Sequence, residues 1–275
     1  MQKNKIGVGI VTCDREDFYI KASQSLSKAL QIYPDYETVT INDGTNKLKY
    51  QPLNLIDTIG RQGVGKAKNA ALKFLIENEC EHIFLMEDDI EIHNSFVFQE
   101  YIKTSKVTGI RHLNYGLHGN HNRDGYGNST IRKTVNYPDN TKIDLYPNLL
   151  GAFSYFHRSV LDDIGLIDED YYNAMEHVDH TYRAIKAGYH PPFRWFADIH
   201  GSDKMLKDIV PDHQQSKIRN ETDFQQTFKK GIDLFIEKQG FSVINGYGPA
   251  EKNYTEQEVL KNLKQIWKSH HQTLE

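Results

Sequence analysis

A chain of 275 residues can bury one large α/β core with an appendage, and 38% hydrophobic with 25% charged residues is the composition of a soluble globular protein. A net charge of -4 argues against binding nucleic acid or a membrane surface through bulk charge. No apolar run approaches the roughly 20 residues that cross a bilayer, and Met1 to Lys5 leads into an apolar run without a signal peptide's length or cleavage site, so the expectation is a cytosolic protein able to work beside a membrane.

Lys5 to Val11 is a β-rich apolar run that predicts a central first strand, and Thr12-Cys13-Asp14-Arg15 turns out of it. Tyr19, Ala22, Leu26, Ala29 and Leu30 then recur at helical spacing. Pro34-Asp35 breaks this helix, and Glu37 to Ile41 predicts a second strand ending in Asn42-Asp43-Gly44-Thr45. Strand, helix and strand of these lengths make a βαβ unit, so the two strands run parallel and their C-terminal ends share the edge at which open α/β sheets bind ligands. Cys13 and Cys80, the only cysteines, have no metal-like spacing and read as reduced thiols.

Leu53 to Ile59 is a weaker strand, followed by the glycine loop Gly60 to Gly65 and a helix with Val64, Ala67, Ala71, Phe74 and Leu75 on one face. Two phosphate-binding patterns are nearly met here. Gly60 to Lys66 resembles a P-loop, but Ala67 stands where a hydroxyl should reach magnesium, and Gly63-Val64-Gly65 lacks the third glycine of a dinucleotide fingerprint because Lys68 occupies it. The plain alternative is a tight strand-to-helix turn.

His82 to Met86 is a buried-strand run that ends in Glu87-Asp88-Asp89. Three carboxylates at one strand end need positive charge nearby; a divalent cation, Mn²⁺ or Mg²⁺, meets that need and can hold a phosphorylated ligand at its open positions. The alternative is a solvated acidic turn. Beyond it, Phe96 to Tyr101 suggests a helix, Gly109 to Gly119 a strand, Thr130 to Tyr137 a hairpin arm in an irregular polar stretch from 120 to 148, Leu149 to His157 a buried strand, and Arg158 to Ile164 a short helix capped by Gly165. Met175 to Tyr189 is a strong helix with Glu176 in its first turn, and Phe193 to Ile199 is a strand closing at His200. Helices near 222 to 238 and 255 to 269 pack back on the sheet or form a homo-oligomer contact.

In this order the segments resemble glycosyltransferases of the GT-A fold, nearest in pattern to the large family 2 of inverting nucleotide-sugar transferases, over roughly residues 5 to 205. Thr12-Cys13-Asp14-Arg15 and Asn42-Asp43-Gly44-Thr45 match the family's two nucleoside loops, Gly63 to Asn69 its Gly-x-x-x-Ala-Arg-Asn helix start, and Glu87-Asp88-Asp89 its Asp-x-Asp motif. Ile167 to Tyr171 and Glu176-His177-Val178-Asp179 mirror its acceptor-side acids. The resemblance implies an α/β, Rossmann-like, mixed and mainly parallel sheet flanked by helices, divided as 1–205 (donor half to about 108, acceptor half 109–205) and a helical extension over 206–275. It implies a nucleoside diphosphate sugar donor, UDP-linked in the common case, and a glycan or other hydroxyl acceptor, with nucleic acid left open. Thr12, Asp14, Arg15, Asp43, Arg61, Lys68, Glu87 and Asp88 would contact the donor. Asp89, Glu87 and His200 would hold the metal. The family's catalytic base is the second acid of Glu-Asp, and His177 stands there, so Glu176, His177 and Asp179 are the three candidates, with a carboxylate favoured. The competing readings are a P-loop-like nucleoside triphosphatase and a nucleotide- or glycan-binding module of the same fold.

Overall fold

A computed structural model describes residues 4–50, 54–58, 60–209, 219–220 and 222–272; Met1, Gln2 and Lys3 of the N-terminal reading, and Leu53 and Ile59 at the ends of the third predicted strand, lie outside them. Strand β1 (Ile6–Thr12) has all seven residues buried, as a central strand covered on both faces must. Helix α1 (Glu16–Leu30) returns the chain to β2 (Tyr36–Asn42), which lies parallel to β1 with Thr12 opposite Asn42. The short β3 (Leu55–Asp57) extends that edge. Helix α2 (Val64–Glu77) crosses to β4 (His82–Glu87), which pairs parallel with β1 so that Val11 faces Glu87. The loops after β1, β2 and β4 therefore open on one edge.

Next come β5 (Ile90–Ile92), α3 (Val97–Thr108), β6 (His112–Asn114), β7 (Lys133–Asn136), β8 (Lys142–Tyr146), β9 (Phe153–His157), α4 (Arg158–Ile164), α5 (Glu176–Lys186), β10 (Phe196–Ile199), β11 (Leu206–Asp208), α6 (Phe224–Gln239) and α7 (Glu256–Gln272). The main sheet has the order β3-β2-β1-β4-β9-β6, with β9 antiparallel to both of its neighbours. Its centre is an aromatic cluster: the Phe84 ring lies 4.9 Å from that of Phe98 and 5.1 Å from that of Tyr155. The predicted hairpin arm is the β7–β8 pair, which β10 joins in a separate antiparallel sheet.

Two strands are shorter than the sequence suggests. The run from Gly109 to Gly119 pairs only at His112–Asn114, because the Gly116 amide turns away to the Asp198 carboxylate at 2.8 Å. The run from Leu149 begins as a strand only at Phe153, since the Gly151 carbonyl accepts from Lys68 at 3.3 Å instead of from a neighbouring strand. In the C-terminal region, α6 packs on α5 and α7 on α3, with Val259, Leu263 and Ile266 buried, while β11 pairs with β5.

Candidate functional site

At the C-terminal ends of β1 and β4 lies a cleft of about 640 Å³, lined by Arg15, Glu87, Asp89, His118, Glu176 and His177 among others. The three acids of the β4 end face three ways. Asp88 is 1% exposed and turned inward: Thr12 Oγ1 donates to it at 2.7 Å and Arg15 clamps it through Nε and Nη2. Burial pushes its carboxyl up to about 7 against the pull of Arg15, and Asp89 adds to the rise. Asp89 shares Arg15 through Oδ2, with Nη1 at 3.2 Å, whereas its buried Oδ1 has no hydrogen-bond partner. Glu87 points to Lys68, whose Nζ lies 2.9 Å from it.

Lys68 connects the two halves of the site. It is buried on α2, and its ammonium also meets Glu176 Oε1 at 3.0 Å. Burial alone would lower the Lys68 pKa, but the Glu87 and Glu176 carboxylates raise it. Burial would likewise raise both carboxyls, yet the charge of Lys68 holds Glu87 and Glu176 below the usual carboxylate range, helped at Glu176 by His177. Glu176 and His177 open α5, directly after Met175 in the left-handed conformation (φ 70°), a strained setting for a bulky residue at a site. His177 Nδ1 lies 3.0 Å from Glu176 Oε1. Its ring rests on Gly151, where a Cβ would come within 2.8 Å of the ring.

The cations Arg15 and Lys68 supply positive charge that the acidic strand end needs, so charge balance alone does not demand a metal. Among the described residues no three His, Cys, Asp or Glu side chains converge as a metal-ligand set. The partnerless Asp89 Oδ1 is the atom that would accept one. Mg²⁺-like ions are commonly held by one or two carboxylates with substrate phosphates completing the shell, and Asp89 with Glu87 beside it fits that pattern.

Of the residues singled out by sequence, Arg15, Glu87, Asp89, Glu176 and His177 line the cleft. The others do not. Asp43 is 3% exposed and accepts from the Gln62 and Gly63 amides at 2.8 and 2.9 Å and from Thr58 Oγ1 at 2.6 Å, tying the two loops together. Asp14 accepts from the Thr45 and Asn46 amides. Arg61 offers its carbonyl to Tyr172 Oη at 3.3 Å. Asp179 faces away, held by Arg183 Nε at 2.9 Å and Gln239 Nε2 at 2.7 Å. His200 is half exposed on another surface, its Nδ1 2.9 Å from Asp144. Two glycines of the near P-loop serve packing: a Cβ on Gly63 would fall 2.5 Å from the Tyr172 ring and one on Gly65 2.8 Å from the Tyr171 carbonyl, while Lys66 stands exposed.

The sequence reading missed His118. Its Nδ1 lies 2.6 Å from Asp208 Oδ1, and burial is outweighed by that bond and by Asp89 and Glu87, so its pKa rises to about 9. Nothing local marks it, because Asp208 is 90 residues further on.

The chain has the GT-A fold, the fold of the solved glycosyltransferases it is similar to. Among solved structures the chain is similar to S. aureus TarS, with 18% identity over 95% of this chain and a TM-score of 0.51, and it spans 49% of that protein's length. Residues 1–349 of TarS in complex with UDP-GlcNAc match with 19% identity over 95% of this chain and 80% of that one, TM-score 0.50. The mannosyltransferase PcManGT from Pyrobaculum calidifontis, in complex with GDP-Man and Mn²⁺, matches with 15% identity over 83% of this chain and 64% of that one, TM-score 0.50. No family model matches the sequence, and no curated protein matches it in sequence.

Proposed function

We infer that this chain is a glycosyltransferase that moves a sugar from a nucleoside diphosphate sugar, UDP-linked in the first instance, to an acceptor hydroxyl with inversion at the anomeric carbon. The observation that carries this reading is the confrontation of the Asp89 carboxylate with the His177–Glu176 pair across one cleft of a GT-A sheet. The UDP-GlcNAc and GDP-Man complexes of TarS and PcManGT support the donor class.

Asp89, with Glu87 beside it, would hold Mn²⁺ or Mg²⁺. Bound there, the ion would supply Lewis-acid stabilisation of charge on the departing diphosphate. The chain's own residues do the rest. Arg15 and Thr12 fix Asp88, and Arg15 also grips Asp89, so the free Asp89 oxygen keeps its direction. Asp43 shapes the nucleoside side by holding the Gln62–Gly63 turn.

His177 is the proton acceptor. Glu176 is a poor one, because Lys68 stabilises its charged form, and Asp179 lies outside the cleft. With Nδ1–H donated to Glu176, the lone pair of His177 is on Nε2. The acceptor hydroxyl proton passes to Nε2 as its oxygen bonds to C1; the bond from C1 to the β-phosphate oxygen breaks, and its electron pair leaves with the nucleoside diphosphate.

Mass spectrometry of the protein incubated with Mn²⁺ and UDP-, GDP- and TDP-sugars tests the reading. Release of nucleoside diphosphate from one donor is the expected result. Nucleotide bound without turnover under any acceptor would leave a binding module of the same fold, and turnover of ATP or GTP instead would overturn the reading.

A further inference from the structure

We propose that a single buried water molecule sits behind the His177 ring and bridges Asn114 of β6 to His180 of α5. A cavity of about 10 Å³ is lined by Asn114, Ser154, His180 and Thr181, and by Gly151 and His177, which also line the cleft. It therefore lies directly behind the wall that carries the proton acceptor. A cavity of about 10–15 Å³ holds one water, provided that about 2–4 polar groups bind it.

Two such groups have no hydrogen-bond partner among the described residues: Asn114 Oδ1 and His180 Nδ1. The residues are 2% and 1% exposed, so bulk solvent does not serve them, and a buried polar atom left unpaired is costly. Both atoms are acceptors. His180 Nε2 lies 3.0 Å from the Gly165 carbonyl, which can only accept, so the ring proton is on Nε2 and the lone pair on Nδ1. Burial pushes the His180 pKa down to about 3 and keeps the ring neutral. Asn114 Nδ2 donates to Ser154 Oγ at 2.8 Å, which fixes Oδ1 as the second acceptor.

The nearby protons are already spent. Those of Lys68 go to Glu87, the Gly151 carbonyl and Glu176. The Thr181 hydroxyl donates at 2.8 Å to His112 Nε2, because the His112 Nδ1 proton goes to the Tyr155 carbonyl. The ligand must therefore bring two donors, while the Ser154 hydroxyl has a proton to give it. Water has that complement, donating to Asn114 Oδ1 and His180 Nδ1 and accepting from Ser154 Oγ. A hard cation would meet no carboxylate among the described residues of this wall. Asn114 and Ser154 stand opposite each other on β6 and β9, and His180 follows His177 by three residues on one side of α5. The water thus ties the helix head that carries His177 to the antiparallel half of the sheet.

Crystallography of the wild type and of Asn114→Leu, with ¹⁵N NMR of the histidine rings, tests the site. The wild type should show one density peak at about 2.7–3.2 Å from both Asn114 Oδ1 and His180 Nδ1. In Asn114→Leu the peak should be lost, and the His180 Nδ1 resonance should move downfield as its lone pair loses a donor. No peak in the wild type, a collapsed cavity in which both atoms find protein partners, or a His180 proton on Nδ1 would overturn the proposal. So would an Nδ1 resonance identical in the two folded proteins. Should Asn114→Leu fail to fold, the wild-type density and the His180 tautomer decide the matter.

Discussion

Lys68 Nζ sits 3.0 Å from Glu176 Oε1 in the protein interior, with Glu87 on its other side at 2.9 Å, so one ammonium from α2 binds the acidic end of β4 to the head of α5. Removing one partner of a buried ion pair leaves uncompensated charge and costs about 3–5 kcal/mol. Lys68→Met should lower the urea midpoint accordingly. The depressed Glu176 pKa contributes stability above the unfolded carboxylate value and loses it as pH falls, so the gap between wild type and variant should narrow below about pH 4. A gap constant from pH 7 to pH 3 would contradict the ion-pair account.

His177→Ala should lower kcat by about 10²- to 10⁴-fold, the span of general-base catalysis, with donor affinity unchanged. His177→Asp should recover part of the rate, because a carboxylate at that place can also take the acceptor proton. Full activity in His177→Ala would remove it from the mechanism.

Histidines packed behind the site predict acid sensitivity. Burial pushes His82, His180 and His190 down to about 3 and His112 to about 4. Below about pH 6.5 the unfolded chain binds protons that these folded side chains refuse, so stability is full above that pH and declines as pH falls. Each such histidine costs up to about 1.4 kcal/mol per pH unit. Urea midpoints at pH 7 and pH 5 should differ markedly, and less in His190→Gln; equal midpoints in the wild type would refute the assignment.

Gly65→Ala should destabilise by about 1–3 kcal/mol through overpacking against the Tyr171 carbonyl, whereas Lys66→Ala should change neither stability nor nucleotide binding. Loss of nucleotide binding in Lys66→Ala would revive the P-loop reading.

The parallel half of the fold was legible because its signals are local: the β1 and β4 runs are continuously apolar, and α1 and α2 keep helical spacing. The antiparallel half was less so, since where β6 and β9 begin and end depends on Gly116 meeting Asp198 and Gly151 meeting Lys68, contacts made 82 and 83 residues apart. The same limit applies to the site. Glu87-Asp88-Asp89 announced itself as a cluster, but the division of labour within it depends on Arg15 reaching Asp88 and Asp89 from the head of α1 and Lys68 reaching Glu87 from α2. His118 was invisible because its partner Asp208 joins it only through the β11–β5 pairing.

The most direct test of the central claim is donor turnover by Asp89→Ala. That substitution removes the partnerless Asp89 oxygen and leaves Arg15 its pair with Asp88. Mass spectrometry with Mn²⁺ and the preferred nucleotide sugar should show no released nucleoside diphosphate for the folded variant against steady release by the wild type. Release at the wild-type rate would contradict the account.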